Sequence, residues 1–141
     1  MSGQKKYKET EFKTSTNFEV KSGKYKRDRR LKKYHTNGEI KEEKFYKKRQ
    51  KVLTTIIYYE NGNKKEEFNT DISGFLTGVK KVYYENGELK GEFNFKKNKL
   101  DGPSKMYHDN GQLHIETIHK NGKIDGPLKS YNKNGEPILD N

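Results

Sequence analysis

The sequence contains no cysteine, and this absence removes several kinds of chemistry at once. Disulfide cross-links, thiol nucleophiles and thiolate metal ligands are all excluded. No run of about 18 apolar residues occurs, so the sequence predicts no transmembrane helix. The first residues, Met1 to Lys6, lack the apolar core of a secretory signal, and the expected location is therefore the cytoplasm.

Hydrophobic residues are also scarce. They make up 28% of the 141 residues, tryptophan is absent and the formal net charge is +11. Low apolar content with high net charge is typical of disordered chains, and this inventory cannot fill one large globular core. It does suffice for a fold in which small apolar clusters are shared between neighbouring units, as in repeat proteins.

The strongest signal that is present is a repeat. Asn-Gly pairs recur in steps of 24, 25, 24 and 24 residues, at Asn37-Gly38, Asn61-Gly62, Asn86-Gly87, Asn110-Gly111 and Asn134-Gly135. A tyrosine precedes each asparagine by three positions, at Tyr34, Tyr58, Tyr83, Tyr107 and Tyr131. Four of the five asparagines are followed, six positions later, by a glutamate, at Glu43, Glu67, Glu92 and Glu116. A fixed period of this length indicates a stacked or concatenated architecture.

Each repeat predicts a β-hairpin, because asparagine and glycine both tolerate the positive φ angles of tight turns. Tyr83 and Leu89 lie symmetrically about a loop, Glu85-Asn86-Gly87, which predicts three loop residues with the glycine left-handed in a bulge. A second element, apolar-x-Gly-Pro/Val, recurs at 76–79, 100–103 and 124–127, where proline suits a strand start or an edge. No apolar stripe with a 3.6-residue period competes, so helix content should be near zero.

We therefore predict an all-β fold, an elongated single-layer antiparallel meander of tandem hairpin repeats of about 24 residues. Residues 1–16 are interpreted as an N-terminal lead or cap, and residues 17–141 as a five-repeat domain that is regular after about residue 76. The Gly-Pro element is missing at Lys51 to Leu53 and at Arg27 to Arg30, so the N-terminal half is less regular.

The pattern Tyr-x-x-Asn-Gly-x-Leu with Asp-Gly-Pro at this period resembles the MORN-variant repeat. The resemblance covers Leu76 to Leu139 well and Tyr34 to Asp71 loosely. Bacterial proteins of this kind are often labelled YwqK-type antitoxins. The resemblance implies an extended β-hairpin sheet used for binding, with toxin neutralisation as a function.

Residues suited to catalysis or metal binding are few and dispersed. His35 and His108 occupy the same position after the repeat tyrosine and are interpreted as exposed turn residues, since a metal site needs a convergent cluster. No serine lies in a Gly-x-Ser-x-Gly turn. Glu42 and Glu43 are adjacent, so on a strand they point to opposite faces. We predict no catalytic residue, no metal ligand, no cofactor and no enzymatic activity.

The charge is concentrated in one segment. Residues 21–51 contain fourteen Lys and Arg against four Asp and Glu, whereas the rest of the chain has seventeen against sixteen. This segment contains all four arginines, and arginine is the better residue for bidentate contacts with phosphate or carboxylate. The predicted partner-binding residues are Arg27, Arg29, Arg30, Lys47, Lys48 and Arg49, with Tyr25 and Tyr46 as neighbouring anchors. The alternative interpretation is a solvated face that keeps a thin sheet in solution.

We predict a non-enzymatic module that engages and neutralises a macromolecule with an acidic surface, with a protein ranked first. Nucleic acid is the alternative, through the basic N-terminal half and as a blocker of an RNA- or DNA-handling machine, because charge and interleaved aromatic rings suit it as well. Anionic lipid ranks third. The oligomeric state stays open, since exposed edge strands can pair two copies.

Overall fold

The computed structural model describes residues 17–20, 29–47 and 51–139, and within these ranges it contains strands and turns without any helix. The strands are β1 Asn17–Val20, β2 Arg29–Tyr34, β3 Ile40–Lys47, β4 Val52–Tyr58, β5 Lys64–Asp71, β6 Leu76–Tyr83, β7 Leu89–Lys96, β8 Lys99–Tyr107, β9 Leu113–Lys120, β10 Lys123–Ile124 and β11 Lys129–Ser130. All of them belong to one sheet. The described part of the chain has no helix long and apolar enough to span a membrane.

The strand order in the sheet follows the order in the sequence from β1 to β10, with every neighbouring pair antiparallel. β11 also pairs with β9, where Ser130 lies opposite Ile115, while β10 pairs with β9 further along. β10 and β11 therefore act as one interrupted final strand. The predicted all-β, single-sheet antiparallel meander is confirmed.

The Asn-Gly loops have the predicted geometry. The Tyr84 N–H donates to the Glu88 carbonyl at 2.9 Å, and the Gly87 N–H donates to the Tyr84 carbonyl at 2.9 Å. Gly87 has a φ of +96°, and Tyr83 pairs with Leu89 directly beyond the loop. Asparagine is required as well as glycine, because the Asn86 Oδ1 accepts the Glu88 N–H at 2.8 Å and so closes the turn from within.

The Gly-Pro element forms a bulge inside a strand. Phe93 on β7 pairs with Ser104 on β8, but Phe95 pairs with Leu100, so β8 has two more residues than β7 over this stretch. Gly102 supplies a φ of +117°, and the Asn94 amide donates to the Pro103 carbonyl at 2.8 Å. The expectation that proline marks a strand start or edge was wrong here. The bulge lets proline lie within β8 because it interrupts the ladder where the missing N–H would be needed.

The sheet is a single layer with two distinct faces. We call one the groove face; it includes Leu53, Thr55, Ile57, Phe68, Val82, Phe93, Ser104, Ile115 and Thr117, which share a side by strand register. The opposite tyrosine face carries the repeat tyrosines and glutamates. Among the described residues, Ile56 is the one hydrophobic side chain buried to 9% exposure. No second layer covers either face in this part of the chain, so the apolar clusters are distributed along the sheet, as predicted from composition.

Candidate functional site

The groove face contains a cavity of about 200 Å³ over strands β7 to β9. It is lined by Phe93, Leu100, Ser104, Met106, Ile115, Thr117 and His119. Ser104 and Thr117 are 6% and 7% exposed and form the floor, and they pair across β8 and β9. Small residues at these two adjacent positions, between larger neighbours, produce the depression.

Gly91 determines the position of one wall. It is buried, and a Cβ atom placed there would lie 2.8 Å from the Cε2 and Cζ atoms of Phe93. The Phe93 ring therefore lies against the backbone of Gly91, an arrangement in which an aromatic ring covers a strand glycine. The ring is held to one side and leaves the space above Ser104 open.

The cavity presents mainly apolar surface, and no Asp, Glu, Lys or Arg is among its lining residues. The Ser104 Oγ and the Thr117 Oγ1 each lie 3.4 Å from the Nδ1 of His119. A serine nucleophile needs a base that is itself oriented by a third group, and no aspartate or glutamate lines this cavity. Within the described ranges no group of three His, Asp or Glu is placed to hold a metal ion. The arrangement is suited to accepting an apolar side chain.

The tyrosine face is held together by tyrosine–glutamate hydrogen bonds between successive repeats. The Tyr58 hydroxyl donates to the Glu43 Oε1 at 2.6 Å, and Tyr107 donates to Glu92 at 3.3 Å. Burial raises the pKa of the Tyr58 hydroxyl well above its usual value, and the hydrogen bond to the Glu43 carboxylate raises this pKa further. Burial followed by nearby carboxylates raises the pKa of Tyr107 in the same direction. The periodic tyrosine and glutamate are therefore structural partners.

A second set of inter-repeat bonds runs along the edge of Asn-Gly loops. The Tyr59 hydroxyl donates to the Tyr83 carbonyl at 2.8 Å, and the His108 Nε2 lies 2.8 Å from the Tyr131 carbonyl. His35 makes the corresponding contact with Tyr58 at 3.0 Å. The interpretation of His35 and His108 as exposed turn residues was wrong: both are half-buried and occupy the position of Tyr59. The signal was present in the sequence, since this position is histidine or tyrosine in four of the five repeats.

Comparison with known families agrees with this architecture. The model of the MORN repeat variant matches residues 30–48, 51–71, 76–97 and 100–121, which is more than half of the chain. The chain belongs to the MORN repeat variant family. MORN repeats are in general non-catalytic modules that interact with proteins or membrane lipids. No curated protein sequence is significantly similar to the chain.

The basic residues predicted to bind a partner are only partly within the described MORN repeats. Tyr25, Arg27, Lys48 and Arg49 lie outside the described residues. By register, Arg29 pairs with Tyr46 and Lys47 pairs with Val52.

Arg30 is the predicted arginine whose side chain is described. It pairs with Phe45, and its guanidinium carbon lies 4.6 Å from the centre of the Phe45 ring. Because side chains alternate along a strand, Arg30 and Tyr46 project from opposite faces of the sheet. These two predicted contacts therefore cannot both meet a partner that lies on one face.

The fold gathers further basic residues along one edge of the MORN sheet. The turns opposite the Asn-Gly loops contain Lys51, Lys96, Lys97, Lys99, Lys120 and Lys123, which we call the lysine edge. All six are exposed, and none takes part in an ion pair identified between described residues. β3 ends and β4 begins at this same edge, and the β7–β8 and β9–β10 turns add the other lysines, whereas the β5–β6 turn at residues 72–75 has none.

Proposed function

We propose that this MORN repeat protein binds a partner protein on its groove face and holds that partner inactive, in the manner of an antitoxin or inhibitor. The observation that supports the proposal is the single-layer sheet, whose groove face presents Ile57, Phe68, Phe93 and Ile115 with no second layer against them. The Lys80–Glu66 ion pair lies among these apolar side chains on the same face, with the Lys80 ammonium 5.2 Å from the centre of the Phe68 ring. Apolar surface left open in this way marks an interaction site in soluble proteins.

The groove face is the better binding surface because polar groups of the tyrosine face already form hydrogen bonds with one another. On the tyrosine face, Glu43 is 8% exposed and its carboxylate accepts the Tyr58 hydroxyl. On the groove face the apolar side chains are only half-buried in the isolated chain. Covering them removes apolar area from water at about 25 cal/mol per Å², which favours binding on this face.

The basic residues of the chain favour a partner with an acidic surface. A protein with an acidic rim would be drawn to the lysine edge and to the basic residues 21–51 before it settles on the groove face. Such steering raises association rates and is screened over about 8 Å at physiological salt. We propose that Arg27, Arg29 and Arg30 contribute to this step.

A nucleic acid is the second candidate partner, and the lysine edge favours it. Six exposed lysines at three of the four turns along this edge offer charges to a phosphate backbone. Phosphate binding of this kind weakens steeply and linearly on a logarithmic salt scale. A desolvated protein interface on the groove face depends much less on salt.

Two isoleucines on β9 provide a matched test of the groove face. Ile115 lines the cavity, whereas Ile118 is 47% exposed and projects from the other side by alternation. We expect Ile115→Gln to lose a partner captured from cells of the source organism, and Ile118→Gln to retain it, with both variants melting cooperatively. The captured protein should lose its own activity when the wild-type chain is added. Retention of every captured protein by Ile115→Gln, or capture that nuclease treatment abolishes, would contradict the proposal.

A further inference from the structure

We propose that the turn between β5 and β6, residues 72–75, inserts its apolar side chains into an apolar socket with an acidic border on the partner protein. We call this segment the apolar turn. The inference rests on the proposed function, because it adds to the groove face a second contact with the same protein. It is derived from the exposure of Ile72 and Phe75, the hydrogen bonds that hold the turn and the lysines on both sides of it.

The apolar turn exposes large hydrophobic side chains where the other turns are polar. Ile72 is 71% exposed and Phe75 is 42% exposed. In the described part of the chain, the tips of the other hairpin turns consist of polar residues and glycine, as in 85–87 and 97–98. Turns are ordinarily built from polar residues, because apolar side chains there stay in water after folding. Two apolar side chains on one turn are therefore suited to a contact made outside the chain.

The backbone of the apolar turn is held by its own hydrogen bonds. The Asp71 N–H donates to the Phe75 carbonyl at 2.9 Å, and the Gly74 N–H donates to the Asp71 carbonyl at 2.9 Å. The Asp71 Oδ1 also accepts the Ser73 N–H at 2.9 Å and the Phe75 N–H at 3.0 Å. Asp71 and Gly74 therefore meet the requirements of the turn, and the side chain of Ile72 is not needed to close it. A turn fixed in this way loses little conformational freedom when it binds.

Lysines border the apolar turn on both sides. The first residue of β4 pairs with the last residue of β5, which places Lys51 beside the turn. On the other side the Asn98 N–H donates to the Leu76 carbonyl at 3.0 Å, and the Asn98 Oδ1 accepts the Leu76 N–H at 2.7 Å. The β7–β8 turn with Lys97 is therefore joined to the strand that follows the apolar turn. An apolar centre with a polar rim is the usual anatomy of a protein interface, and a rim of lysines selects a socket bordered by Asp or Glu.

The amount of apolar surface favours a protein over a lipid bilayer. A single myristoyl chain gives only marginal membrane binding, and Ile72 with the exposed part of Phe75 offers less apolar surface than such a chain. In a protein interface, by contrast, a few well-packed side chains can dominate the affinity. The apolar turn is thus better suited to a protein socket, and insertion into lipid is the alternative that the experiments separate.

The first experiment places a photo-reactive side chain in the full chain, as Ile72→p-benzoylphenylalanine, and illuminates it in a lysate of the source organism. We expect it to attach to one protein, at a peptide that mass spectrometry shows to contain apolar residues next to Asp or Glu. Glu85→p-benzoylphenylalanine is the matched control, because Glu85 has the same position in a loop with the same two backbone hydrogen bonds at the opposite edge. Attachment from position 72 to no protein or to a peptide without Asp or Glu would overturn the inference, as would attachment of the control to the same peptide.

The second experiment measures the affinity of the attached protein, once purified, by isothermal titration calorimetry. We expect Ile72→Asn to weaken binding about tenfold and Ile72→Leu to retain it, because the socket requires an apolar side chain. Both variants should melt like the wild-type chain, since Ile72 is exposed. Unchanged affinity in Ile72→Asn, or equal losses in the two variants, would count against the apolar turn.

Vesicles of phosphatidylcholine with phosphatidylserine as the minor component test insertion into lipid. The wild-type chain and Ile72→Asn should sediment equally with them, since only the lysines contribute to this attraction. Weaker sedimentation of Ile72→Asn would place the apolar turn in a bilayer and reject the inference. Loss of partner capture by Ile115→Gln without any attachment from position 72 would reject the apolar turn and retain the proposed function. Attachment from position 72 with capture unaffected by Ile115→Gln would reject the groove face and retain the apolar turn.

Discussion

At the scale of single residues, the hydrogen bond between Tyr58 and Glu43 is the tyrosine–glutamate contact whose loss we expect to cost the most stability. The two oxygens are 2.6 Å apart, and Glu43 is only 8% exposed. We expect Tyr58→Phe to lower the free energy of unfolding at pH 7 by about 1.5–3 kcal/mol, because it leaves a buried carboxylate without this donor. Tyr83→Phe is the matched control, since its bond to Glu67 is longer, at 3.4 Å. Urea denaturation of both variants measures the difference, and equal losses would contradict it.

The same hydroxyl predicts a response to alkaline pH. Burial and the Glu43 carboxylate raise the pKa of Tyr58 in the folded chain above its ordinary value of about 10. Above pH 10 the unfolded chain therefore releases a proton that the folded chain keeps, so stability falls as pH rises. The contribution is fully present below pH 10. We expect the free energy of unfolding to fall less steeply between pH 10 and 11.5 in Tyr58→Phe than in the wild-type chain; parallel curves would argue against this.

At the scale of the hairpin, the left-handed glycine of each Asn-Gly loop sets the register of its two strands. Gly111 has a φ of +91°, and a Cβ atom there would be 3.8 Å from its nearest neighbour, so space is available but the conformation is not. We expect Gly111→Val to cost about 1–3 kcal/mol, because a β-branched residue resists positive φ. Thermal melts compare it with the wild-type chain.

The two-residue turn between β7 and β8 supplies a control in which the substitution should raise stability instead of lowering it. Lys97 and Asn98 have φ angles of +50° and +70°, whereas the next such turn has Asn121 and Gly122 at +53° and +88°. Lys97→Asn should raise the melting temperature slightly, because asparagine tolerates this region better than lysine does. A melting temperature raised by Gly111→Val or lowered by Lys97→Asn would show that loop conformation does not limit stability.

At the scale of the whole molecule, charge is arranged along edges as well as along the sequence. Reversal of Arg27, Arg29 and Arg30 to glutamate should abolish capture of the partner and leave the melt cooperative, since these arginines are in the most basic segment. Reversal of Lys96, Lys97 and Lys99 on the lysine edge should reduce the association rate and its salt dependence without abolishing binding. Surface plasmon resonance at several salt concentrations separates the two effects. A larger loss from the lysine triplet would place the acidic contact at the regular C-terminal repeats.

The hairpins could be derived from the sequence because their determinants are local. Asn86 and Gly87 satisfy the φ angles and the hydrogen bond of their own loop, and the loop length then places Tyr83 opposite Leu89. Repetition of these local rules was enough to predict the order of the strands, the absence of helix and the single sheet. The family pattern was visible for the same reason, since it consists of the residues that these turns require.

Only the tertiary structure decided which residues meet across repeats. The contacts of His108 with Tyr131 and of Tyr58 with Glu43 join residues 23 and 15 positions apart, and no local rule specifies them. The cavity depends on the bulge at Gly102 and Pro103, whose two extra residues set Ser104 opposite Phe93. Such an insertion changes which residues face each other within its own strand pair, whereas the Asn-Gly loops keep Tyr83 opposite Leu89 and Tyr107 opposite Leu113 in the neighbouring pairs. The sequence by itself therefore determined the repeating hairpin, whereas the groove face and its pocket arose from how the hairpins align.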